Sequence, residues 1–309
     1  MEAGLRLGRQ APTPTGPDAA LCGRLGLLSA HLVVALVALV VIGGATRVME
    51  AGLACPDWPL CYGTLLPGRQ MNLQVFLEWF HRLDAFVVGV ALLVLAAVAL
   101  AWRRWLPAGV AQLSLLALVL VAFQGLLGAL TVTQLLAAPV VTAHLGTALL
   151  LVGLLSALHQ RLETAGSTAS AGPGVPAAPG ENRQPWLVPL AAVAGLLLFA
   201  QCLLGAAMAS QWAADLCLNA GSGCRWLLGH RQLATAAALA LLGLAALTPE
   251  RGWGLALAVA VLAQLALGMG TLRLQLAVPA VTVAHQLLAA LLMALVAALF
   301  TRSLAVRHG

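Results

Sequence analysis

The chain has 309 residues, of which 61% are hydrophobic and only 8% are charged, and its mean hydropathy is +0.97. Because soluble domains carry about 25% charged residues, this composition excludes a soluble protein and indicates an integral membrane protein. The net charge is +6, and all 16 basic residues are arginine. These arginines lie in short segments between apolar runs, so they do not form the basic patch that nucleic-acid binding requires.

Eight apolar runs of about 20 residues are each long enough to cross a bilayer as a helix. They lie near 26–46, 76–101, 110–131, 139–160, 186–209, 228–248, 253–272 and 280–300. If both termini are cytoplasmic, ten arginines fall inside and six outside, which is the bias that the positive-inside rule requires. The sequence therefore predicts an all-α integral membrane protein with eight transmembrane helices and both termini in the cytoplasm.

A stretch rich in Ala, Gly, Ser and Pro follows the fourth run, at residues 164–185. This composition is typical of a flexible linker, here on the cytoplasmic side. It separates an N-terminal half, 26–163, from a C-terminal half, 186–300, each with four spans. The remaining residues, 1–25 and 301–309, are predicted to be cytoplasmic tails.

The two halves share short motifs at corresponding spans. A His-Arg pair opens spans two and six, a histidine follows Pro139 and Pro279 at the start of spans four and eight, and Gln-x3-Gly recurs in spans three, five and seven. The residues are His81-Arg82 and His230-Arg231, His144 and His285, and the pairs Gln124/Gly128, Gln201/Gly205 and Gln264/Gly268. An even number of spans per half predicts a parallel repeat of two four-helix bundles, an architecture that holds cofactors between its helices.

Four histidines fall near the external end of the even-numbered spans: His81 and His144 in one half, His230 and His285 in the other. Two histidines from two helices at one depth can bind the iron of a porphyrin from both faces. A single intramembrane histidine more often hydrogen-bonds between helices. The pairwise repetition favours ligands here, because ionisable groups at membrane depth are usually functional. We interpret His31 and His159, near the opposite membrane face, as packing residues.

A carboxylate distinguishes the two halves. Glu78 precedes His81 by three residues and so shares its helix face, whereas the residue three positions before His230 is Leu227. A carboxylate at one histidine pair can accept protons or orient water, which indicates that only the N-terminal half carries out chemistry. The alternative is an acid favoured by the helix dipole near a helix start.

Each half also has a cysteine pair before its second span: Cys55 and Cys61, then Cys217 and Cys224. The connecting segments are short and rich in Pro or Gly, so both pairs can form disulfides on the oxidising side of the membrane. A structural staple and a redox role both stay open, with the staple favoured more strongly for Cys217 and Cys224.

These residues together resemble heme A synthase, in its cysteine-bearing bacterial form. The resemblance covers about residues 25–300 and is carried by Gly43-Gly-Ala-Thr-Arg47, Gly52-Leu-Ala-Cys-Pro-Asp-Trp-Pro-Leu-Cys-Tyr-Gly63, Glu78-Trp-Phe-His-Arg82, Thr142-Ala-His144, Gly229-His-Arg231 and Val283-Ala-His285. It implies an enzyme of the bacterial inner membrane that oxidises the C8 methyl of haem O to a formyl group. Two successive hydroxylations and loss of water would give haem A.

The resemblance also implies roles for individual residues. His81 and His144 would flank the substrate haem O, Glu78 would be the catalytic acid, and His230 and His285 would be axial ligands of a haem b iron for electron transfer. Cys55 and Cys61 match a loop pair with a structural or redox role. The implied partners are the haem O synthase upstream and the assembly factors of a haem-copper oxidase downstream. Whether copies associate into a homo-oligomer stays open.

Two other functions compete with this one. A bis-haem b protein, such as a quinol-linked cytochrome b, would transfer electrons without needing a carboxylate at one site. A membrane thiol–disulfide oxidoreductase would use the cysteine pairs, but it needs a reactive thiol of low pKa and leaves the four matched histidines unexplained.

Overall fold

The computed structural model describes residues 17–171, 186–209 and 224–305, and these residues form helices and loops without a β-strand. Within these described ranges, eight helices are long and apolar enough to cross a membrane. They are α1 (Ala19–Val48), α2 (Leu73–Ala101), α3 (Val110–Thr133), α4 (Ala138–Ala171), α5 (Leu187–Ala209), α6 (Arg225–Leu247), α7 (Arg251–Arg273) and α8 (Pro279–Ala305). The predicted all-α membrane class and its eight spans are therefore confirmed, whereas the orientation of the termini stays a prediction.

Several helices extend beyond the apolar runs that predicted them. Helix α1 begins inside the predicted N-terminal tail, because the Asp18 side chain caps it by accepting a hydrogen bond from Leu21 N at 2.7 Å. Helix α4 continues to Ala171, into the first eight residues of the predicted linker. There the Thr168 hydroxyl bonds the Thr164 carbonyl one turn earlier. Residues 172–185 of the predicted linker lie outside the described residues.

The helices pack as two rings of four. In the first ring each of α1 to α4 contacts the next and α4 returns to α1, and α5 to α8 repeat this order. The rings meet where α8 contacts α1 and α4, and where α4 contacts α5. A hydrogen bond of 2.6 Å from Arg47 Nη1, in the last turn of α1, to the carbonyl of Ala209 at the end of α5 also joins the halves.

The core lies along the line where the rings meet. Leu155, Leu158 and Leu162 of α4 are fully buried, in the same apolar cluster as Leu36 of α1 and Leu292 of α8. Much of the remaining apolar surface is exposed, as expected for helices whose outer faces contact lipid. The fold is thus organised around α1, α4 and α8.

Two turns in corresponding places share an uncommon backbone. Leu135 and Leu136, between α3 and α4, have φ angles of 50° and 60°, and Gln275 and Leu276, between α7 and α8, have 50° and 63°. In each turn the second residue donates its N–H to a threonine carbonyl five residues earlier, Thr131 or Thr271. Each turn leads directly into a helix that carries a candidate ligand, His144 or His285.

Candidate functional site

Each of the four candidate ligands packs against a glycine on the helix that precedes it in the chain. A methyl group added to the glycine would lie 3.0, 3.6, 2.9 and 3.1 Å from the histidine Cε1 for the pairs Gly43/His81, Gly128/His144, Gly205/His230 and Gly268/His285, respectively. The absence of a Cβ therefore lets the imidazole ring approach the neighbouring helix. The histidines lie within the first three turns of α2, α4, α6 and α8, so all four rings lie near the same end of the helix array.

The N-terminal pair has the spacing of two ligands around one metal ion. The ring centres of His81 and His144 are 6.5 Å apart, with their planes at 76°. A metal ion bound to one nitrogen of each ring, at about 2 Å per bond, would hold the ring centres about 6 Å apart. Nδ1 of both rings is buried without a hydrogen-bond partner. Because buried polar atoms are normally paired, both rings fit a ligand role.

The C-terminal pair is surrounded by amides. Gln201 Nε2, on α5, lies 3.0 Å from Nδ1 and 3.1 Å from Nε2 of His230. Gln264 Nε2, on α7, lies 3.5 Å from His285 Nε2. Nδ1 of His285 is buried without a partner, so this half also offers a ring nitrogen to a ligand.

No group of three or more His, Cys, Asp or Glu side chains able to hold a bare metal ion occurs among the described residues. Pairs of histidines suit an iron that brings four equatorial nitrogens with its porphyrin. The residues present in each half therefore fit a haem with two axial histidines.

Glu78 is the centre of a buried polar cluster rather than a free carboxylate. Its Oε1 accepts a 2.5 Å hydrogen bond from Arg82 Nη2, and its Oε2 accepts one of 2.7 Å from the Cys55 N–H. The side chains of Glu78 and Arg82 are only 5% and 15% exposed. The carboxylate is thus held between the first turns of α2 and the loop that precedes them, as an ion pair with further hydrogen bonds.

Arg82 binds the same loop at several points. It donates to the carbonyls of Asp57 and Leu60, both at 2.6 Å, and to that of Cys55 at 3.3 Å. This role was not predicted from the sequence, in which Arg82 figured only as part of the His-Arg motif. The sequence feature that could have predicted the ion pair is the position of Arg82 four residues after Glu78, since acids and arginines at that spacing pair on a helix.

Cys55 and Cys61 form the predicted disulfide, with Cα atoms 4.8 Å apart, and both residues are buried. The Asp57 carboxylate closes the loop by accepting hydrogen bonds of 2.7 Å from the N–H groups of Tyr62 and Gly63. The hydrogen bond from Gly63, followed by that from Tyr62, holds the pKa of Asp57 below its ordinary value of 3.8. Cys224, at the start of α6, is buried, whereas Cys217 lies outside the described residues, so that second pair stays a prediction.

The two remaining histidines of the membrane core bind backbone carbonyls. His159 Nδ1 is 3.0 Å from the carbonyl of Gly26 on α1, and His31 Nδ1 is 2.7 Å from that of Leu27 on its own helix. Both contacts are those of the packing residues that the sequence predicted.

Comparison with known proteins identifies the family. Residues 26–297 match the cytochrome oxidase assembly protein family, COX15-CtaA. The heme A synthase of Sphingopyxis alaskensis is 32% identical, over 92% of this chain and 94% of that protein. The chain belongs to the heme A synthase family. The resemblance carried by the sequence motifs is thereby confirmed, and the heme A synthase family is a family of oxidoreductases in haem A biosynthesis.

Two further relatives match over shorter regions. The heme A synthase of Shewanella oneidensis is 33% identical over 58% of this chain, and the match spans 54% of that protein. A protoheme IX farnesyltransferase of Halobacterium salinarum is 36% identical over 35% of this chain and 23% of that protein. The likeness to heme A synthases is therefore the more extensive one.

Proposed function

We propose that the protein oxidises the C8 methyl of haem O to a formyl group and so produces haem A. The observation that carries this proposal is the asymmetry between two otherwise similar histidine pairs. The segment of α2 that bears His81 also bears the buried carboxylate of Glu78, and the C-terminal half has Leu227 at the corresponding position. A pair with a carboxylate suits a reaction site, and a pair without one suits an electron relay.

The histidines divide between substrate and cofactor. His81 and His144 would hold haem O, and His230 and His285 would hold a resident haem b. The iron porphyrins supply the redox chemistry when bound, and the chain supplies ligation, orientation and a medium of low dielectric. The partial match to a protein named for farnesyl transfer to protoheme IX supports a farnesylated haem as the substrate.

Glu78 would handle protons at the methyl group. With water as the source of oxygen, each hydroxylation releases two protons and two electrons, so the site needs a proton acceptor and an electron route, which haem b would provide, to an external acceptor. Both carboxylate oxygens accept one hydrogen bond each, which leaves each oxygen a second lone pair for a water molecule or the substrate. Arg82 and the Cys55 N–H would hold the carboxylate in a fixed position.

The apolar helices and the family together indicate the cellular setting. Eight apolar helices make this a multi-pass membrane protein, and we assign it to the bacterial inner membrane. Its haem O would come from a haem O synthase, and its product would go to the assembly of a haem-copper oxidase. The Cys55–Cys61 disulfide would serve chiefly to hold the loop that binds Glu78.

The test is expression with a haem O synthase in cells that lack haem A, followed by chromatography of the extracted haems. The wild-type chain is expected to accumulate haem A, and Glu78→Gln to reduce its formation by about 100-fold or more, the usual contribution of a proton-transfer group. Glutamine has one acceptor oxygen and so keeps only one of the two hydrogen bonds; retained haem b in the same extract shows that the variant is folded. Leu227→Ala, at the corresponding C-terminal position, is the matched control and should retain activity.

The same extracts separate the competing functions. Haem b alone, at two per folded chain, would identify a bis-haem electron-transfer protein, and a folded chain without haem would leave the thiol–disulfide function. Full haem A output from Glu78→Gln would contradict the role given to the carboxylate.

A further inference from the structure

A glutamine occupies the same position in three of the four helices that precede a candidate ligand. Gln124, Gln201 and Gln264 each lie four residues before the glycine that contacts the histidine, and α1 has Leu39 at this position. The sequence pattern shows that the glutamines recur. Only their contacts show that they are used differently.

The amides of the two halves have different partners. In the C-terminal half Gln201 reaches both ring nitrogens of His230, and Gln264 lies near a ring nitrogen of His285. In the N-terminal half Gln124 instead donates to the backbone carbonyl of His144 at 2.9 Å. Leu39 has no side-chain polar group to offer His81. Its backbone carbonyl reaches that ring, as those of Gln201 and Gln264 reach His230 and His285. Both rings of the C-terminal pair therefore have a side-chain amide beside them, and neither ring of the N-terminal pair has an amide bonded to it.

The amide oxygens indicate what these glutamines do when the histidines bind a metal. Oε1 of Gln201 and of Gln264, like that of Gln124, is buried and has no hydrogen-bond partner. The amide nitrogens of Gln201 and Gln264 lie beside ring nitrogens, whereas that of Gln124 bonds a backbone carbonyl. The oxygen and nitrogen of an amide exchange places by rotation about one bond, and that rotation would bring Oε1 to the ring nitrogen that now faces Nε2. A neutral imidazole bound to iron through one nitrogen carries its proton on the other, which is the donor that Oε1 lacks.

We infer that Gln201 and Gln264 are positioning residues that accept a hydrogen bond from the non-ligating nitrogens of His230 and His285, and so retain the C-terminal haem permanently. Partners of this kind fix the orientation of the ring and raise its basicity, and their loss typically costs about 10- to 100-fold in metal affinity. The N-terminal pair lacks side-chain amides at its rings and releases its haem, as a site for substrate and product must. This inference rests on the proposed function for the identity of the two haems.

The experiment measures the transfer of haem from the purified full-length protein to apomyoglobin, with the released haems identified by chromatography. In the wild type, haem O and haem A should leave much faster than haem b. Gln201→Leu and Gln264→Leu should each release haem b about 10-fold faster or more. Gln124→Leu is the matched control, since its amide bonds the backbone carbonyl of His144 in the other half, and it should leave haem b release unchanged.

The reduction potential of haem b separates positioning from packing. A more basic ligand favours ferric iron, so Gln201→Leu should raise the potential, and Gln201→Glu, whose carboxylate accepts more strongly, should lower it. Shifts of opposite sign would not arise from altered packing alone. In the other half, Leu39→Gln should slow the release of haem O.

Unchanged haem b release and potential in both leucine variants would overturn the inference and leave the proposed function intact. A protein that contains haem b but never haem O or haem A would overturn the proposed function. The role of Gln201 and Gln264 would then still be decided by the haem b measurements.

Discussion

The two histidine pairs share one structural frame and differ in the polar groups added to it. In both halves a ring packs on a glycine of the preceding helix, and both ligand-bearing helices α4 and α8 follow a turn with two consecutive left-handed residues. Around His81 the additions are a buried acid, an arginine and a disulfide-closed loop. Around His230 and His285 they are two amides. Under the proposed function, the frame would determine where a haem binds, and the added polar groups would determine whether that haem reacts or is retained.

The shared turns show how strongly that frame is maintained. A left-handed backbone costs a non-glycine residue roughly 1 kcal/mol or more, and Leu135, Leu136, Gln275 and Leu276 all adopt it. Such strain persists only where the surrounding structure requires it. Here the requirement is the direction in which α4 and α8 present His144 and His285.

The largest expected effect is a difference in stability between variants of Arg82 and Arg231, the two arginines that follow a candidate ligand. Arg82→Leu leaves Glu78 buried without its cation, and such a loss typically destabilises a protein by about 3–5 kcal/mol. Arg231 is exposed and has Leu227 where Arg82 has its acid, so Arg231→Leu should change stability by less than about 0.5 kcal/mol. Thermal unfolding in detergent measures both. Equal losses would show that the Glu78 cluster is not a special feature of the N-terminal half.

An intermediate effect is expected from the glycines. A methyl group at Gly205 would lie 2.9 Å from His230 Cε1, whereas one at Gly128 would lie 3.6 Å from His144 Cε1, an ordinary contact. If His230 and His285 hold haem b as proposed, Gly205→Ala should displace the His230 ring and alter the spectrum of that haem, and Gly128→Ala should leave the His144 site unchanged. Electron paramagnetic resonance of the purified variants compares them. A perturbed spectrum in Gly128→Ala alone would reverse the expected order.

The smallest effect concerns acid sensitivity, which we expect only in the loop of the N-terminal half. The folded pKa of Asp57 is lowered by the Gly63 and Tyr62 N–H groups, so its stabilisation of the loop is present above pH 3.8 and is lost as the pH falls through the lowered value. Reduction of the Cys55–Cys61 disulfide by a phosphine should therefore accelerate at low pH. Asp57→Asn should be reduced faster at neutral pH and should lack this acceleration. An unchanged pH profile in Asp57→Asn would assign the acid sensitivity to another group.

The spans were predictable because the bilayer restricts the choices. Each observed helix contains its predicted apolar run to within one residue, since a lipid-exposed backbone has to hydrogen-bond within its own helix. The helix ends were less predictable, because a cap such as Asp18 lets a helix continue beyond the hydrocarbon region. The number of spans thus follows from hydropathy, whereas their exact length depends on local hydrogen bonds.

The candidate ligands were predictable because the histidine motifs recur in both halves, but the side-chain contacts around these histidines were not predictable. His81 and His230 are each followed by arginine in the sequence, but no sequence pattern shows that Arg82 reaches Leu60 and Asp57, 22 and 25 residues away. The recurrent glutamines were visible as a motif, and their use was not, since Gln124 and Gln201 differ only in which acceptor or ring their amides reach. Contacts between side chains of distant segments require the fold.

Helix α1 has a consequence for whether the halves can exist apart. Its adjacent Gly43 and Gly44 face different halves, since a methyl group at Gly43 would contact His81 and one at Gly44 would overlap Gln286, the neighbour of His285. Gln286 also donates to the Val40 carbonyl on α1. Helix α1 therefore packs beside the histidine pairs of both halves, and a C-terminal half expressed alone would lack this packing partner. Because α1 packs against helices of both halves, separating the halves would expose the α1-facing surface of the C-terminal half.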